Sequence, residues 1–254
     1  MLLFLKHSQA ISKKSLICKM NLEEVLVELK SLANENIKKI FLNQGAVEPV
    51  WGVKVGDMKT ILKKIKNDQG LAMQLYDTGI SDAMYLAGLV ADGAKMSKTE
   101  LQNWVEKARW SMLSEYTVPW VASESQYCTE LALEWIDSDT DLIITAGWSA
   151  LGSIAAITPD HELDLDLFKK LLHRVEKSIH QSFNKVPYAM NGFVISIGAY
   201  ITPLSKEAME VAKRIGKVSV NMGNTSCKVP YAPQYIQKVM DKGHAGKKRK
   251  TVKC

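Results

Sequence analysis

The chain has 254 residues, 46% of them hydrophobic, and a formal net charge of +6, which suits one large domain or two small ones with an apolar core. No run approaches about 18 apolar residues, so no segment is a candidate membrane span. The four cysteines are scattered without a CxxC pair or a histidine cluster, which excludes a disulfide framework and a structural zinc site. This usage is typical of a reducing compartment, the cytoplasm or, in a eukaryote, the nucleus.

The predicted elements are almost all helices. Residues 21–43 carry apolar side chains at i, i+3 and i+4 spacing, which predicts one helix that ends before Gly45. After a break at residues 52–56, Asp57 is predicted to begin the next helix. Shorter helices are predicted at about 69–78, 82–92 (capped by Ser81), 98–109 (capped by Ser97), 117–125, 126–136, 140–157, 163–181, 185–200 and 204–215, with a last helix from Pro230 to about Lys242. Residues 216–225 are a predicted loop, with the one strand candidate at 217–220.

Many short amphipathic helices cannot each bury an apolar face alone, but stacked pairs of helices can. The pattern therefore predicts an all-α fold, an α-solenoid of HEAT- or armadillo-like helical pairs. No repeat of residue identities is visible, and a compact helical bundle is the alternative architecture. The concave surface of a solenoid favours a large partner.

The positive charge is concentrated at the two ends. Residues 1–19 and 243–254 together hold nine of the 33 basic residues and no acid, leaving 24 basic against 27 acidic residues between them. We expect residues 1–19 to be a disordered extension upstream of Met20, and residues 20–242 to form the helical domain. The basic C-terminal tail, residues 243–254, is either a solubilising segment or an arm that contacts phosphates.

Residues 110–168, the acidic segment, contain no lysine or arginine but 11 carboxylates and four tryptophans. Aromatic faces and carboxylates together suit a cationic guest. The alternative is an acidic, solvated face above tryptophans that are packed in the core. The same segment opposes a phosphate backbone, so DNA contacts are expected from lysines and arginines elsewhere in the chain.

Several motifs in order resemble the DNA alkylation repair family, the AlkD-like HEAT-repeat DNA glycosylases. They are Trp51-Gly52-Val53-Lys54, Tyr116 with Trp120 and Glu124 at four-residue spacing, Gly147-Trp148-Ser149-Ala150, the stretch Val186 to Ile195, Gly216-Lys217-Val218, and Cys227-Lys228-Val229-Pro230. The resemblance covers roughly residues 20–254. It implies a solenoid whose concave face grips duplex DNA and a monofunctional N-glycosylase that removes cationic N3- and N7-alkylated purines.

The resemblance also assigns roles to residues. The family's tryptophan and essential aspartate match Trp120 and Glu124, which implies that Glu124 stabilises an oxocarbenium-like sugar beside Trp120. Tyr188 matches a second lesion-side aromatic residue. The family's DNA-holding arginine falls after Trp148, where this chain has Ala150 and Leu151, so those two positions are expected to face the DNA.

The expected partner is alkylated duplex DNA, bound by a monomer without metal or cofactor. The remaining candidate DNA-binding residues are Trp148, Lys54, Lys185, Asn191, Lys217, Lys228, Lys247, Lys248, Arg249 and Lys250. The missing arginine keeps an alternative open, in which a non-catalytic solenoid binds structured nucleic acid or a basic protein.

Overall fold

The computed structural model describes residues 20–221 and 228–253, and that part of the chain contains 13 α-helices and no strand. The predicted extension, residues 1–19, lies outside the described residues. The helices are α1 (Leu22–Ser31), α2 (Glu35–Asn43), α3 (Val55–Ile65), α4 (Gln69–Asp77), α5 (Ser81–Val90), α6 (Lys98–Lys107), α7 (Val118–Ser123), α8 (Cys128–Trp135), α9 (Asp141–Ile157), α10 (Leu165–Ser178), α11 (Val186–Tyr200), α12 (Ser205–Ile215) and α13 (Ala232–Asp241).

The helices stack in sequential pairs, and this confirms the all-α solenoid prediction. Helix α4 packs on α5, α6 on α7, α8 on α9, α10 on α11 and α12 on α13. The second helices of these pairs form a continuous inner layer, because α5 contacts α7, α7 contacts α9, α9 contacts α11 and α11 contacts α13. Each pair thus buries its apolar face against its neighbours. No helix among the described residues is long and apolar enough to cross a membrane.

Two predicted elements were wrong. The single helix at 21–43 is two helices, because the side chain of Asn34 accepts hydrogen bonds from the backbone N–H groups of Asn36 and Ile37 and so begins α2. This capping competes with continuation of α1. The strand candidate at 217–220 has no strand structure, and residues 222–225 of the same predicted loop lie outside the described part of the chain.

A buried carboxylate explains the Trp51-Gly52-Val53 motif. Asp82 on α5 is buried, and its carboxylate accepts hydrogen bonds from the backbone N–H groups of Trp51 at 2.6 Å and Val53 at 2.7 Å. Gly52 between them has a φ of +76°, and a Cβ there would lie 2.3 Å from the backbone nitrogen of Lys38. The motif is therefore a structural anchor that ties the α2–α3 connection to α5.

The four tryptophans of the acidic segment are core residues. Trp110, Trp120, Trp135 and Trp148 are each at most 4% exposed. Their rings pack on other aromatic side chains or donate internally, as Trp135 does to Gln102 at 2.8 Å. This supports the packing interpretation of these residues over an exposed aromatic cage for a cationic guest.

Five of the eleven carboxylates of the acidic segment are paired with lysines or an arginine from other parts of the chain. These cations come from α6, from α10 and from the C-terminal tail, so they offset part of the negative charge of the segment. The pairs are Glu130 and Glu134 with Lys98, Asp137 with Arg174, Asp160 with Lys248, and Glu124 with Lys253.

A widened helical turn precedes α7. Residues Leu113–Thr117 form a π-helical turn, and the backbone N–H of Val118 donates to the carbonyl oxygen of Leu113. Pro119 lacks an N–H, and in a regular α-helix its ring would clash with the carbonyl of Glu115. The wider turn removes that clash and places Glu115 and Tyr116 on the inner side of the solenoid.

Candidate nucleic-acid interface

A cleft of about 410 Å³ opens between the inner helices α7, α9 and α11 and the C-terminal tail. We call it the aromatic cleft, because tyrosine and tryptophan rings contribute much of its wall. Its lining includes Glu115, Tyr116, Trp120, Trp148, Ser149, Ser153, Tyr188, Tyr200, Arg249 and Val252. The cleft thus brings together the sequence-predicted Trp120, Trp148, Tyr188 and Arg249.

The carboxylate of the aromatic cleft is Glu115, which the sequence did not single out as a site residue. Burial raises the pKa of Glu115 from 4.5 to about 7, and the positive charge of Lys185 partly opposes this rise. At neutral pH the group therefore exists in both charge states. The sequence did contain a signal for Glu115. Pro119 lies four residues after it, and a proline disrupts a helix at the residue four positions earlier.

The pKa of Glu115 predicts a pH-dependent effect on stability. The unfolded chain releases this proton near pH 4.5 and the folded protein near pH 7, so stability is lost as the pH rises through that window. We expect Glu115→Gln to raise the free energy of unfolding by about 1–3 kcal/mol at pH 8 and to leave it unchanged at pH 4. Urea unfolding at both pH values measures this. The exposed change Glu130→Gln is the control, and an equal gain at pH 4 contradicts the assignment.

A second, polar pocket of about 400 Å³ continues the same surface, and we call it the cationic pocket. It is lined by Arg109 and Lys185 together with Ser111, Gln44, Asn184 and one carboxylate, Asp141, which accepts a hydrogen bond from the Asn184 amide at 2.8 Å. The ammonium group of Lys185 donates to the Ser111 hydroxyl at 2.8 Å, and Arg109 is exposed. Lys185 is the N-cap of α11 and Tyr188 lies one turn after it, which connects this pocket with the aromatic cleft.

Glu124, the predicted catalytic carboxylate, does not line the aromatic cleft. One of its oxygens accepts hydrogen bonds from the ammonium group of Lys253 at 2.8 Å and from the backbone N–H of Gly93 at 3.1 Å. Gly93 packs so closely on α7 that a Cβ would lie 1.8 Å from the carbonyl oxygen of Val121. Glu124 therefore links the end of α7 to Gly93 and to the C-terminal tail, and its carboxylate is already paired with Lys253.

The C-terminal tail is docked along the ends of the inner helices. The backbone N–H of Gly246 donates to the carbonyl of Ala199 at 2.9 Å, and that of Arg249 donates to Ala156 at 2.8 Å. The Lys253 ammonium group also donates to the carbonyl of Ala91, and Val252 is buried. Cations and N–H groups thus satisfy the free carbonyls at the C-terminal ends of α11, α9 and α5.

The other tail cations divide into two groups. Lys248 donates to the carbonyl of Ala155 at 2.9 Å and pairs with Asp160 at 2.8 Å, so its ammonium group docks the tail, which does not fit the phosphate contact predicted for it. Lys247, Arg249 and Lys250 are exposed, and Arg249 reaches the aromatic cleft.

The remaining predicted DNA-binding residues are a buried asparagine, a core tryptophan and three exposed lysines. Asn191 is buried and donates to the carbonyl of Pro230 at 2.9 Å, which does not fit the DNA contact predicted for it. Trp148 is 1% exposed and packs on Phe193. Lys54, Lys217 and Lys228 are exposed, and none of them lines the aromatic cleft or the cationic pocket.

The expectation that positions 150 and 151 face the DNA was wrong. Ala150 and Leu151 are both 0% exposed and belong to the core. The side chains that α9 presents to the aromatic cleft are Ser149 and Ser153, which are partly exposed. Positions 149 and 153, and not 150 and 151, are therefore the ones that α9 exposes on this surface.

Comparison with known proteins agrees with this architecture. Residues 25–236 match the family described as DNA alkylation repair enzyme. The chain is 34% identical over 226 residues to the uncharacterized proteins Lmo0209 of Listeria monocytogenes and Lin0241 of Listeria innocua, covering 87% of this chain and 97% of each relative.

A solved structure is also similar, with a TM-score of 0.84 and 39% sequence identity over 92% of this chain and 100% of that one. It is described as a new family of proteins related to the HEAT-like repeat DNA glycosylases with affinity for branched DNA structures. The match over most of the helical domain, together with the stacked helical pairs, identifies this chain as a member of the DNA alkylation repair enzyme family.

Proposed function

We propose that the protein binds branched DNA on its concave surface and does so without excising a base. The observation that carries the proposal is the state of Glu124. Its carboxylate is bonded to Lys253 and to the Gly93 N–H, so its negative charge is compensated before any substrate arrives. A carboxylate that stabilises a developing cation acts through uncompensated charge directed at the reacting atoms.

The charges on the concave surface support phosphate binding. Arg109 and Lys185 lie in the cationic pocket, and Arg249 lies at the aromatic cleft. These three cations come from widely separated parts of the sequence and are placed along one surface. Contacts to phosphates position DNA without selecting a sequence, which suits recognition of a shape.

The aromatic cleft supports a preference for branched over linear DNA. Stacked base pairs in a linear duplex leave no base face free, whereas a branch point exposes base faces. The cleft is lined by Tyr116, Tyr188 and Tyr200. An exposed base can stack on a tyrosine ring, and this stacking does not depend on the DNA sequence. The solved relative with affinity for branched DNA has the same fold.

The test compares a three-way junction with a linear duplex of equal length, measured by fluorescence anisotropy at several salt concentrations. We expect the junction to bind at least about tenfold more tightly. The triple variant Arg109→Gln, Lys185→Gln, Arg249→Gln should lower the log–log salt slope by about 2–3 units, which corresponds to three lost phosphate contacts.

The matched control is Lys59→Gln, Lys206→Gln, Lys238→Gln, which removes the same charge from exposed positions outside these clefts. We expect a much smaller change in slope for the control. Equal binding of junction and duplex, or equal loss in both triple variants, contradicts the proposal.

A second candidate is excision of a cationic alkylpurine, and one observation favours it: Glu115 shares the aromatic cleft with Trp120 and Tyr188. Because its pKa is about 7, this carboxylate is charged mainly above neutral pH. If Glu115 supports excision, we expect the protein to release free base from methylated duplex DNA at pH 8 and to release little at pH 6. The variant Glu115→Gln should release none. Absence of free base above the buffer rate at pH 8 excludes this candidate and leaves junction binding untouched.

A further inference from the structure

A separate cleft lies on the edge of the solenoid, between the end of α8 and helices α9, α10 and α11. Its volume is about 600 Å³, which is larger than the aromatic cleft. We call it the edge cleft. The sequence-predicted DNA residues, apart from Trp148, do not line it.

One wall of the edge cleft is cationic. Lys170, Arg174 and Lys177 on α10 all line it, and their spacing of four and three residues places them on one face of the helix. Both lysines are exposed. Neither is within ion-pair distance of a carboxylate of the described residues, so both ammonium groups are available to an anion.

Arg174 is held in place by the protein. Its guanidinium donates to Asp137 at 2.6 Å and to the carbonyl of Ile136 at 3.2 Å, and it lies 5.7 Å from the centre of the Trp148 ring. These contacts fix the wall of the cleft before a ligand binds. A wall that is already ordered lowers the entropic cost of binding.

The opposite side of the edge cleft is apolar. Ile144, Val186 and Met190 line it together with Trp148. At its rim stands Phe183, which is 54% exposed. An exposed phenylalanine beside a cationic wall offers a ring face at a short distance from charges that bind phosphate.

We propose that the edge cleft binds an unpaired nucleotide of single-stranded DNA, with the base against Phe183 and the apolar side and the phosphates against Lys170 and Lys177. The proposal rests on the proposed function, because it assigns one arm of the branched DNA to this site. Trp148 lines both this cleft and the aromatic cleft but is only 1% exposed, so a buried indole ring separates two neighbouring clefts, and a strand that leaves the branch point would reach the edge cleft over the protein surface.

The chemistry selects a single strand rather than a duplex. A duplex presents phosphates but keeps its base faces stacked, so it would use the lysines and leave Phe183 and the apolar side unoccupied. An unpaired nucleotide uses both sides of the cleft. In single-strand binding, the phosphate backbone lies along a positively charged groove and the bases stack on aromatic rings.

The test uses three fluorescent probes: a single-stranded oligo-dT of eight nucleotides, a three-way junction with a single-stranded flap, and the same junction with a fully paired arm. Two variants are compared with the wild-type protein, Phe183→Ala and the pair Lys170→Gln, Lys177→Gln. The control pair is Lys59→Gln, Lys206→Gln, which removes equal charge from exposed positions elsewhere.

We expect Phe183→Ala to weaken binding of oligo-dT and of the flap junction by about 5- to 10-fold, the lower part of the range for base–aromatic stacking. The lysine pair should lower the salt slope for oligo-dT by about 1.4 units, or about 0.7 for each phosphate contact on a single strand. Neither variant should change binding of the fully paired junction by more than about twofold.

The outcomes separate this proposal from the proposed function. If the wild-type protein prefers the paired junction over linear duplex but both variants bind oligo-dT normally, the edge cleft is not the single-strand site and the proposed function stands. If the wild-type protein shows no junction preference but the variants lose oligo-dT binding, the proposed function fails and the edge cleft remains a nucleotide site. Equal losses in the control pair overturn the assignment of the cleft.

Discussion

We expect the double change Ala150→Arg, Leu151→Arg to abolish the folded state, and Ser149→Arg one residue earlier to keep it and to tighten DNA binding. Both positions of the double variant are 0% exposed, and an unpaired charge in such a place costs several kcal/mol. Two such charges together cost about as much as the typical folding free energy of about 5–15 kcal/mol. Circular dichroism and size-exclusion chromatography of the double variant measure the loss.

Ser149→Arg is the matched change on the same helix, because Ser149 is partly exposed and lines the aromatic cleft. A guanidinium at this position adds a charge-assisted contact to phosphate, and we expect tighter junction binding by about 1–3 kcal/mol. A normal thermal melt with unchanged affinity would mean that α9 does not face the DNA backbone. A folded double variant would contradict the burial of Leu151.

The second large effect is on stability and comes from the pair Glu124 and Lys253. Glu124→Gln should lower the free energy of unfolding by about 1–3 kcal/mol, because Lys253, whose side chain is only 15% exposed, is then left without its counter-charge. For a chain of this length that corresponds to roughly 2–12 °C in Tm. Glu124 does not line the aromatic cleft, but the tail that it holds carries Arg249 and Val252, which do, so any change in junction binding by this variant reports on the docking of the tail.

A double-mutant cycle isolates the pair. Glu124→Gln, Lys253→Met and the two together should show a coupling energy of about 1–2 kcal/mol in urea unfolding. Lys98→Met is the control, because Lys98 also pairs with carboxylates but at an exposed position where such pairs contribute little. Additive effects of the two changes would show that the tail is not held by this contact.

Local signals in the sequence were sufficient for most helices. The capping box of Ser97 and Glu100 marks the start of α6 and is present in the structure. Asn34 was missed because the apolar spacing continues in phase from α1 into α2, and periodicity alone does not detect a cap. Apolar spacing and turn residues act over a few positions, which is why they locate helices well.

The geometry of the candidate site depends on contacts between residues far apart in the chain, which local sequence spacing does not predict. Lys253 and Glu124 are 129 residues apart in the chain, and Lys185 and Gln44 are 141 apart. The pair Trp120 and Glu124 has helical spacing, but Glu124 is the C-cap of α7 and its side chain turns toward Gly93. The motif therefore lies on a helix, as its spacing indicates, but its acid points toward Gly93 and not into the aromatic cleft.

The docked C-terminal tail has a mechanical consequence. A solenoid whose repeats contact only their neighbours is flexible, because small rotations at each interface add along its length. The tail is hydrogen-bonded to the C-terminal ends of α11, α9 and α5 in turn, so it links several helical pairs that are not all direct neighbours. Any bending that moves these helix ends apart must strain or break the bonds of the tail. The curvature of the inner surface is therefore set partly by the last residues of the chain, and elastic stiffness in the middle of the molecule depends on bonds made by its end.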